Sequence, residues 1–264
     1  MVAFKGIYLR TGKKEYDTLA KFWTRIFSLT FGIGVATGIV MEFEFGTNWS
    51  TYSRYVGDIF GSALAAEGVF AFALESTCLG IVLFGWNKIK PLWHFLATLG
   101  VWLGSMCSAI WIVVANSWQQ TPAGYVVSGE GMQAKAVITD FWAMVFNPST
   151  VDRVWHVWQG AFLAGIFLVL SVHAWYLLKG RHVEISKKAF KVTLIIGTAI
   201  CLLQLASGHS SADGVAQNQP EKLAAMEGHF KTGVGDAYIL GWVDQKNEVT
   251  HGVSIPKGLS YMVH

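Results

Sequence analysis

Charge is scarce in this chain: only 14% of its 264 residues are Asp, Glu, Lys or Arg, against 53% hydrophobic ones. Low charge combined with several long apolar runs points to a multi-pass membrane protein rather than a soluble domain. Cysteine is scarcer still. Cys78, Cys107 and Cys201 all fall in apolar segments, and neither CxxC nor CxxCH occurs. That excludes a disulfide framework, a cysteine-based zinc site and a covalently attached haem. A net charge of +3, with no basic stripe or RNA-binding motif, leaves nucleic acid out of the expected partners. The opening MVAFKGIYL lacks the charged start, long apolar core and cleavage site of a signal peptide, and reads as the tail of a helix.

Aromatic residues, by contrast, are plentiful. The 12 Trp and 17 Phe suit interfacial belts and flat cofactors. Hydropathy predicts an all-α, multi-pass transmembrane bundle over residues 1–207, followed by an external loop over 208–264. After the N-terminal partial helix come five complete spans, at about 19–45, 61–85, 92–118, 151–178 and 189–206. GTNWSTYSRYVGD reads as a polar link before the second span, and 119–150 as a long, weakly structured connection. Gly34 and Gly38 form a small-xxx-small pair suited to close helix packing.

Basic residues alternate from loop to loop. Arg10, Lys13, Lys14, Lys21 and Arg25 lie on one side, as do Lys88 and Lys90, then Lys179, Arg181, Lys187, Lys188 and Lys191. The other side has only Arg54, Lys135 and Arg153 within its links. By the positive-inside rule the rich side is cytoplasmic, which puts 119–150 and the 208–264 loop outside.

The second span, GSALAAEGVFAFALESTCLGIVLFG, carries Glu67 and Glu75 and no Lys or Arg. On a regular helix the two acids stand ~12 Å apart along the axis and ~80° apart around it, on one broad side. An ionisable group at that depth costs at least ~2.5 kcal/mol, so the pair reads either as protonated acids bonded inside a bundle or as a proton route or cofactor site. His156, between two Trp and followed by Gly160 and Ala161, suits an axial haem ligand with room for the ring, or alternatively an interfacial side chain. His173, ~26 Å further along the axis, could serve with it two stacked haems, but no second helix offers a matching histidine pair; His94 suits snorkelling at a helix entrance, and His182 lies in a basic turn. His209, His229, His251 and His264 show no metal-ligand spacing. In QPEKLAAMEGHF, Pro220 starts and Gly228 ends a short predicted helix bearing Lys222 and Glu227.

Several motifs occur together and in order: MEFEFGTNWSTYSRYVGDIFG, EGVFAFALEST with FGW, LGSMCSAIWIVVANSW, NPSTVDRVWH, AWYLLKGR and EKLAAME. Over nearly the whole chain this pattern resembles subunit I of cytochrome bd quinol oxidase. The resemblance implies a respiratory, electron-transporting oxidoreductase of the bacterial or archaeal cytoplasmic membrane. Such an enzyme passes electrons from quinol through haem b to an oxygen-reducing haem pair, and reduces O2 to water without pumping protons. It implies His156 as iron ligand of a low-spin haem b. Glu67 matches the acid beside the oxygen-reducing haem pair, and Glu75 the acid on the internal proton path, with Ser76 and Ser108 as polar residues of that path. Lys222 and Glu227 match the quinol-loop pair. A second oxidase subunit and small accessory membrane subunits are the implied partners.

Set against that family, residues 1–264 have no counterpart of the helix bearing the axial His of haem d. Nor do they include the later helices that supply the Met opposite His156 and the Glu on the high-spin haem b. The expectation is therefore a fragment, a truncated gene product or a split subunit, whose missing ligands come from elsewhere. Two rival functions suit the same acids: a proton-coupled transporter or channel, which predicts internal repeats not found here, and a non-catalytic haem-binding assembly subunit.

Overall fold

Each predicted span is a helix in the computed structural model, which describes residues 1–263; His264, at the end of the predicted loop, lies outside the described residues. The short α1 (Val2–Thr11) precedes α2 (Lys14–Gly46), α3 (Ser50–Ala66), a π-helical segment (Glu67–Phe72), α4 (Ala73–Phe84) and α5 (Pro91–Gln120). A linker then carries β1 (Tyr125–Ser128), β2 (Lys135–Ile138) and α6 (Phe141–Val145). The long helices α7 (Thr150–Leu178) and α8 (Val183–Asn218) lead to α9 (Pro220–Met226), β3 (Ala237–Asp244), β4 (Val249–Ile255) and α10 (Gly258–Val263). Because α3, the π segment and α4 form one rod, five helices are long and apolar enough to cross a membrane. The chain is a multi-pass, all-α membrane protein; among the described residues its only sheets are two antiparallel hairpins, β1–β2 and β3–β4.

Local chemistry accounts for several boundaries. Pro91 opens α5 at the first turn, where its missing N–H loses nothing, and extended Lys90 precedes it. Pro220 opens α9 in the same way, and Gly228 at φ 69° follows its end, as the sequence predicts. Gly124, at φ 66°, closes the β1–β2 linker on itself: its carbonyl accepts from the amides of Thr139 and Asp140, and a Cβ there would lie 2.3 Å from Asp140 O.

The bundle packs as α7 along α8 and α4 along α5, with α5 also meeting α7. Where α4 and α5 touch, their backbones nearly meet at glycine. A Cβ on Gly104 would fall 2.9 Å from the backbone N of Glu75, and one on Gly100 would fall 2.5 Å from Cys78 Sγ. The close seam is therefore Gly100–Gly104. Gly34 and Gly38, the pair singled out from sequence, have nothing within 4 Å of their Cβ positions, so within this chain they pack no helix. Their helix α2 keeps its most apolar stretch exposed, with Leu29, Ile33 and Phe43 outward.

Three apolar clusters hold the ends together. Val56, Ile59, Val114, Trp118 and Met144 join α3 and α5 to the linker at one end, called here the hairpin end. At the opposite, basic end Phe4, Leu19, Trp23 and Ala189 join α1, α2 and α8, and Leu79, Val82, Ala97 and Val101 fill the α4–α5 seam. Lys5 is buried at the basic end, with its ammonium 2.8 Å from Asp17 Oδ1 and 4.2 Å from the Trp86 ring centroid. Paired in this way, a buried cation is tolerable; unpaired, it is costly.

Three sequence expectations need correction. The predicted polar link at GTNWSTYSRYVGD shrinks to three residues, because α3 begins at Ser50; its half-buried face packs Val56 and Ile59 into the hairpin-end cluster. The 119–150 connection is ordered rather than weakly structured, since β1 and β2 pair from Tyr125↔Ile138 to Ser128↔Lys135 and Asp58 Oδ2 accepts from Ile138 N at 2.8 Å. Finally, hydropathy falls after Gly208 but the helix does not. α8 runs on to Asn218, tied to α7 where Ser210 donates to Asp152 Oδ1 at 2.7 Å, so residues 207 and 208 lie within one helix.

Candidate functional site

The two intramembrane acids flank the π segment, and that segment decides where they point. A π turn holds one more residue than an α turn, which winds the following helix back by about 100° and turns the ~80° offset into roughly 20° the other way. Glu67 and Glu75 consequently face the same neighbour, α5. Ser108 donates to Glu67 Oε1 at 2.6 Å, and Ser105, one helical turn earlier, donates to Glu75 Oε1. Glu75 is buried and Glu67 half-buried. The arrangement is a ladder of two carboxyls and two hydroxyls along one seam, able to hold and pass protons. Ser76 is outside this ladder: its hydroxyl donates to Phe72 O in its own helix at 2.7 Å.

His156 lies on α7 against α8. Its Nδ1 is 3.0 Å from Ser207 Oγ, and Ser207 in turn donates to Gln159 Oε1 at 3.0 Å. The Gln204 amide nitrogen is 3.0 Å from His156 Nε2 and 3.1 Å from Nδ1. A cavity of about 220 Å³ opens beside the ring, lined among others by Asn116, Asp152, Arg153 and Ser211. Gly160, one turn further along the same face of α7, has nothing within 4 Å of its Cβ position. An imidazole held at Nδ1 by a hydroxyl, beside a bare helix face, suits an axial haem ligand once the Gln204 amide turns away from Nε2.

The two other span histidines are used in packing. His173 takes a hydrogen bond from Trp23 Nε1 at 3.2 Å and lies 3.2 Å from Ser186 Oγ, which occupies both ring nitrogens. His94 Nε2 is 3.1 Å from Val82 O and its ring stacks edge-on to Trp86. Among the described residues no cluster of three or more His, Cys, Asp or Glu could hold a metal by protein ligands alone.

At the hairpin end Lys222 is half-buried on α9. Its ammonium donates to Gln120 Oε1 at 2.7 Å, and Gln219 donates to Gln120 O at 2.9 Å, so α9 is tied to the end of α5. The partners of this lysine, Gln120 and at 3.4 Å Gln219 Oε1, are both neutral. Glu227 caps the C-terminus of α9, and Gly228 follows it.

The comparisons with known proteins bear on this geometry. A family model described as cytochrome bd terminal oxidase subunit I matches residues 1–264. The chain belongs to that family. Similar proteins include the cytochrome bd-II ubiquinol oxidase subunit 1 of Escherichia coli (strain K12), 42% identical over 250 residues covering 94% of this chain and 48% of that protein. The cytochrome bd ubiquinol oxidase subunit 1 of Bacillus subtilis (strain 168) is 37% identical, over 100% of this chain and 56% of that one. A solved structure of bd oxidase from Geobacillus thermodenitrificans superposes with a TM-score of 0.91 at 30% identity, covering 100% of this chain and 60% of its counterpart. The chain spans about half the length of the curated relatives it matches.

Within this bd subunit I chain, sequence reasoning missed Ser105, Gln120, Gln159 and Ser207. Ser105 had a signal, since it precedes Ser108 by one turn and shares its helix face. Gln159, polar within an apolar span and one turn from His156, had another. Gln120 and Ser207 had none, because their partners lie far away in the chain.

Proposed function

We propose that this chain is the part of a bd-type quinol oxidase that binds quinol, holds the low-spin haem b and guides protons toward the site of oxygen reduction. The observation that carries the reading is His156, hydrogen-bonded through Nδ1 within a chain that matches the subunit I family from end to end. The complete enzyme would oxidise quinol and reduce O2 to water without pumping protons, alongside a second subunit and accessory membrane subunits. A haem b on His156 would supply one-electron redox chemistry, and a high-spin haem b with haem d would supply oxygen reduction, with ligands from beyond residues 1–264.

The chain's own residues divide the remaining work. The basic end faces the cytoplasm and the hairpin end faces outward, in a bacterial or archaeal cytoplasmic membrane. At the outer end Glu227 accepts a hydroxyl proton from quinol, and Lys222, steadied by Gln120, balances the negative charge that develops. These protons leave outside. Protons for oxygen reduction come from the cytoplasm, and Glu75 with Ser105 and Glu67 with Ser108 hold them in sequence along the α4–α5 seam. Ser76 joins that path only if its hydroxyl turns away from Phe72 O.

Absorbance of the complex purified with this chain tests the reading. Bands of haem d and of low-spin haem b are expected, and His156→Ala should remove the low-spin b band. A parent spectrum in that variant, or a haem-free complex, would overturn the proposal.

A further inference from the structure

Ser207 and Gln159 are buried polar side chains, 1% and 2% exposed, inside the α7–α8 contact. Burying such groups is costly unless hydrogen bonds compensate. Compensation here is incomplete, because Gln159 Nε2 and Gln204 Oε1 are buried without partners. A contact that only joined two helices would be better served by apolar side chains. The polar atoms converge on a single group, the ring of His156.

The bonds form a consistent set once Nε2 is given to iron, as the ligand reading requires. Ser207 Oγ has one proton, and two acceptors stand near it: Gln159 Oε1 at 3.0 Å and the backbone carbonyl of Gln204 at 3.1 Å. With iron on Nε2 a neutral ring carries its one hydrogen on Nδ1, so the serine proton goes to one of these two. The lone pair of Ser207 Oγ then faces His156 Nδ1, 3.0 Å away, and accepts that hydrogen. A neutral imidazole protonated on Nδ1 keeps its free lone pair on Nε2. The Gln204 amide nitrogen, 3.0 Å from Nε2 and 3.1 Å from Nδ1, favours neither tautomer and must turn aside for iron.

We propose that Ser207, backed by Gln159, is a positioning residue for His156: it selects the tautomer whose Nε2 lone pair binds iron and sets the basicity of that ligand. The proposal rests on the reading of His156 as a haem ligand and goes beyond it. A serine that donates its own proton onward becomes a better acceptor, so the Ser207–Gln159 pair strengthens the Nδ1–H bond. A ligand whose far N–H is engaged in this way is more basic, binds iron more tightly and favours the ferric state.

The test is redox titration of the low-spin b band in the assembled complex, alongside haem content. Ser207→Ala should raise the midpoint potential and weaken haem retention about tenfold, at the low end of outer-shell effects. If the whole tenfold loss fell on the ferric state, the rise would be about 59 mV for one electron. Ser207→Thr, which keeps the hydroxyl, should restore both. Gln159→Leu leaves Ser207 the Gln204 carbonyl as acceptor and should give a smaller rise; it also serves if Ser207→Ala fails to assemble. A merely structural serine would leave the potential of the bound haem unmoved. If His156→Ala removes the band while Ser207→Ala and Gln159→Leu titrate like the parent, the positioning role fails and the ligand reading stands. If His156→Ala keeps the band, both fail together.

Discussion

Replacing Gly104 by Ala adds one methyl where the α4 backbone comes nearest. The new Cβ would lie 2.7 Å from Glu75 Cβ and 2.9 Å from both its Cα and its N. Backbone cannot turn aside as a side chain can, so α4 and α5 must part by about 0.7 Å or more to reach ordinary contact. Overpacking of this kind costs about 1–3 kcal/mol, offset by the ~0.5–1 kcal/mol that Ala gains over Gly inside a helix. The net expectation is a loss of about 1–2 kcal/mol, roughly 3–6 °C in melting temperature for a chain of this size. Gly100→Ala meets chiefly the Cys78 thiol, which can rotate, and should lose less; Gly197→Ala meets the Cγ2 methyl of Ile166, stiff in its helix, and should fall between the two. Gly34→Ala meets nothing within this chain and should melt at or above the parent. Thermal melting of the four detergent-purified variants gives the ranking. If Gly104→Ala melted with Gly34→Ala, the seam would not be as tight as described and the argument would fail. Parting the helices also draws Glu75 away from Ser105, so turnover should fall further than stability explains.

Glu75→Gln keeps shape and hydrogen bonding but removes the titratable proton, so oxygen reduction should slow while the haems stay bound. Ser105→Ala should slow it as well, whereas Ser76→Ala, whose hydroxyl serves its own helix, should do so least. Glu67→Gln should in addition disturb the spectra of the oxygen-site haems; parent turnover in both Glu variants would remove the pair from the proton path. Lys222→Ala or Glu227→Ala should raise the apparent quinol KM or lower turnover with haem content normal, and an artificial donor that bypasses the loop should restore the rate. An equal loss with both donors would exclude these residues from the quinol site. His173→Phe should cost about 1–3 kcal/mol of stability by stranding the Trp23 and Ser186 partners, with no change in haem spectrum. A lost haem band there would contradict its packing role.

What the sequence determined by itself is whatever depends on neighbours in the chain. Five spans follow from apolar length, because a bilayer-crossing helix satisfies its own backbone. The limits of α9 follow from Pro220 and Gly228, whose backbone preferences act on the spot. His156 and the two acids could be singled out because a polar side chain in an apolar run is conspicuous wherever it packs. The tertiary structure decided what those groups touch. Glu67 and Glu75, on one broad side even of a regular helix, come nearly into line because the π segment rewinds the helix between them, a change that leaves hydropathy untouched. Ser105, Gln120 and Ser207 became partners of Glu75, Lys222 and His156 across 30, 102 and 51 residues of chain. The close glycine seam proved to be Gly100–Gly104 rather than Gly34–Gly38, for the same reason. A small-xxx-small pair permits close approach, but only the placement of a second helix makes it happen.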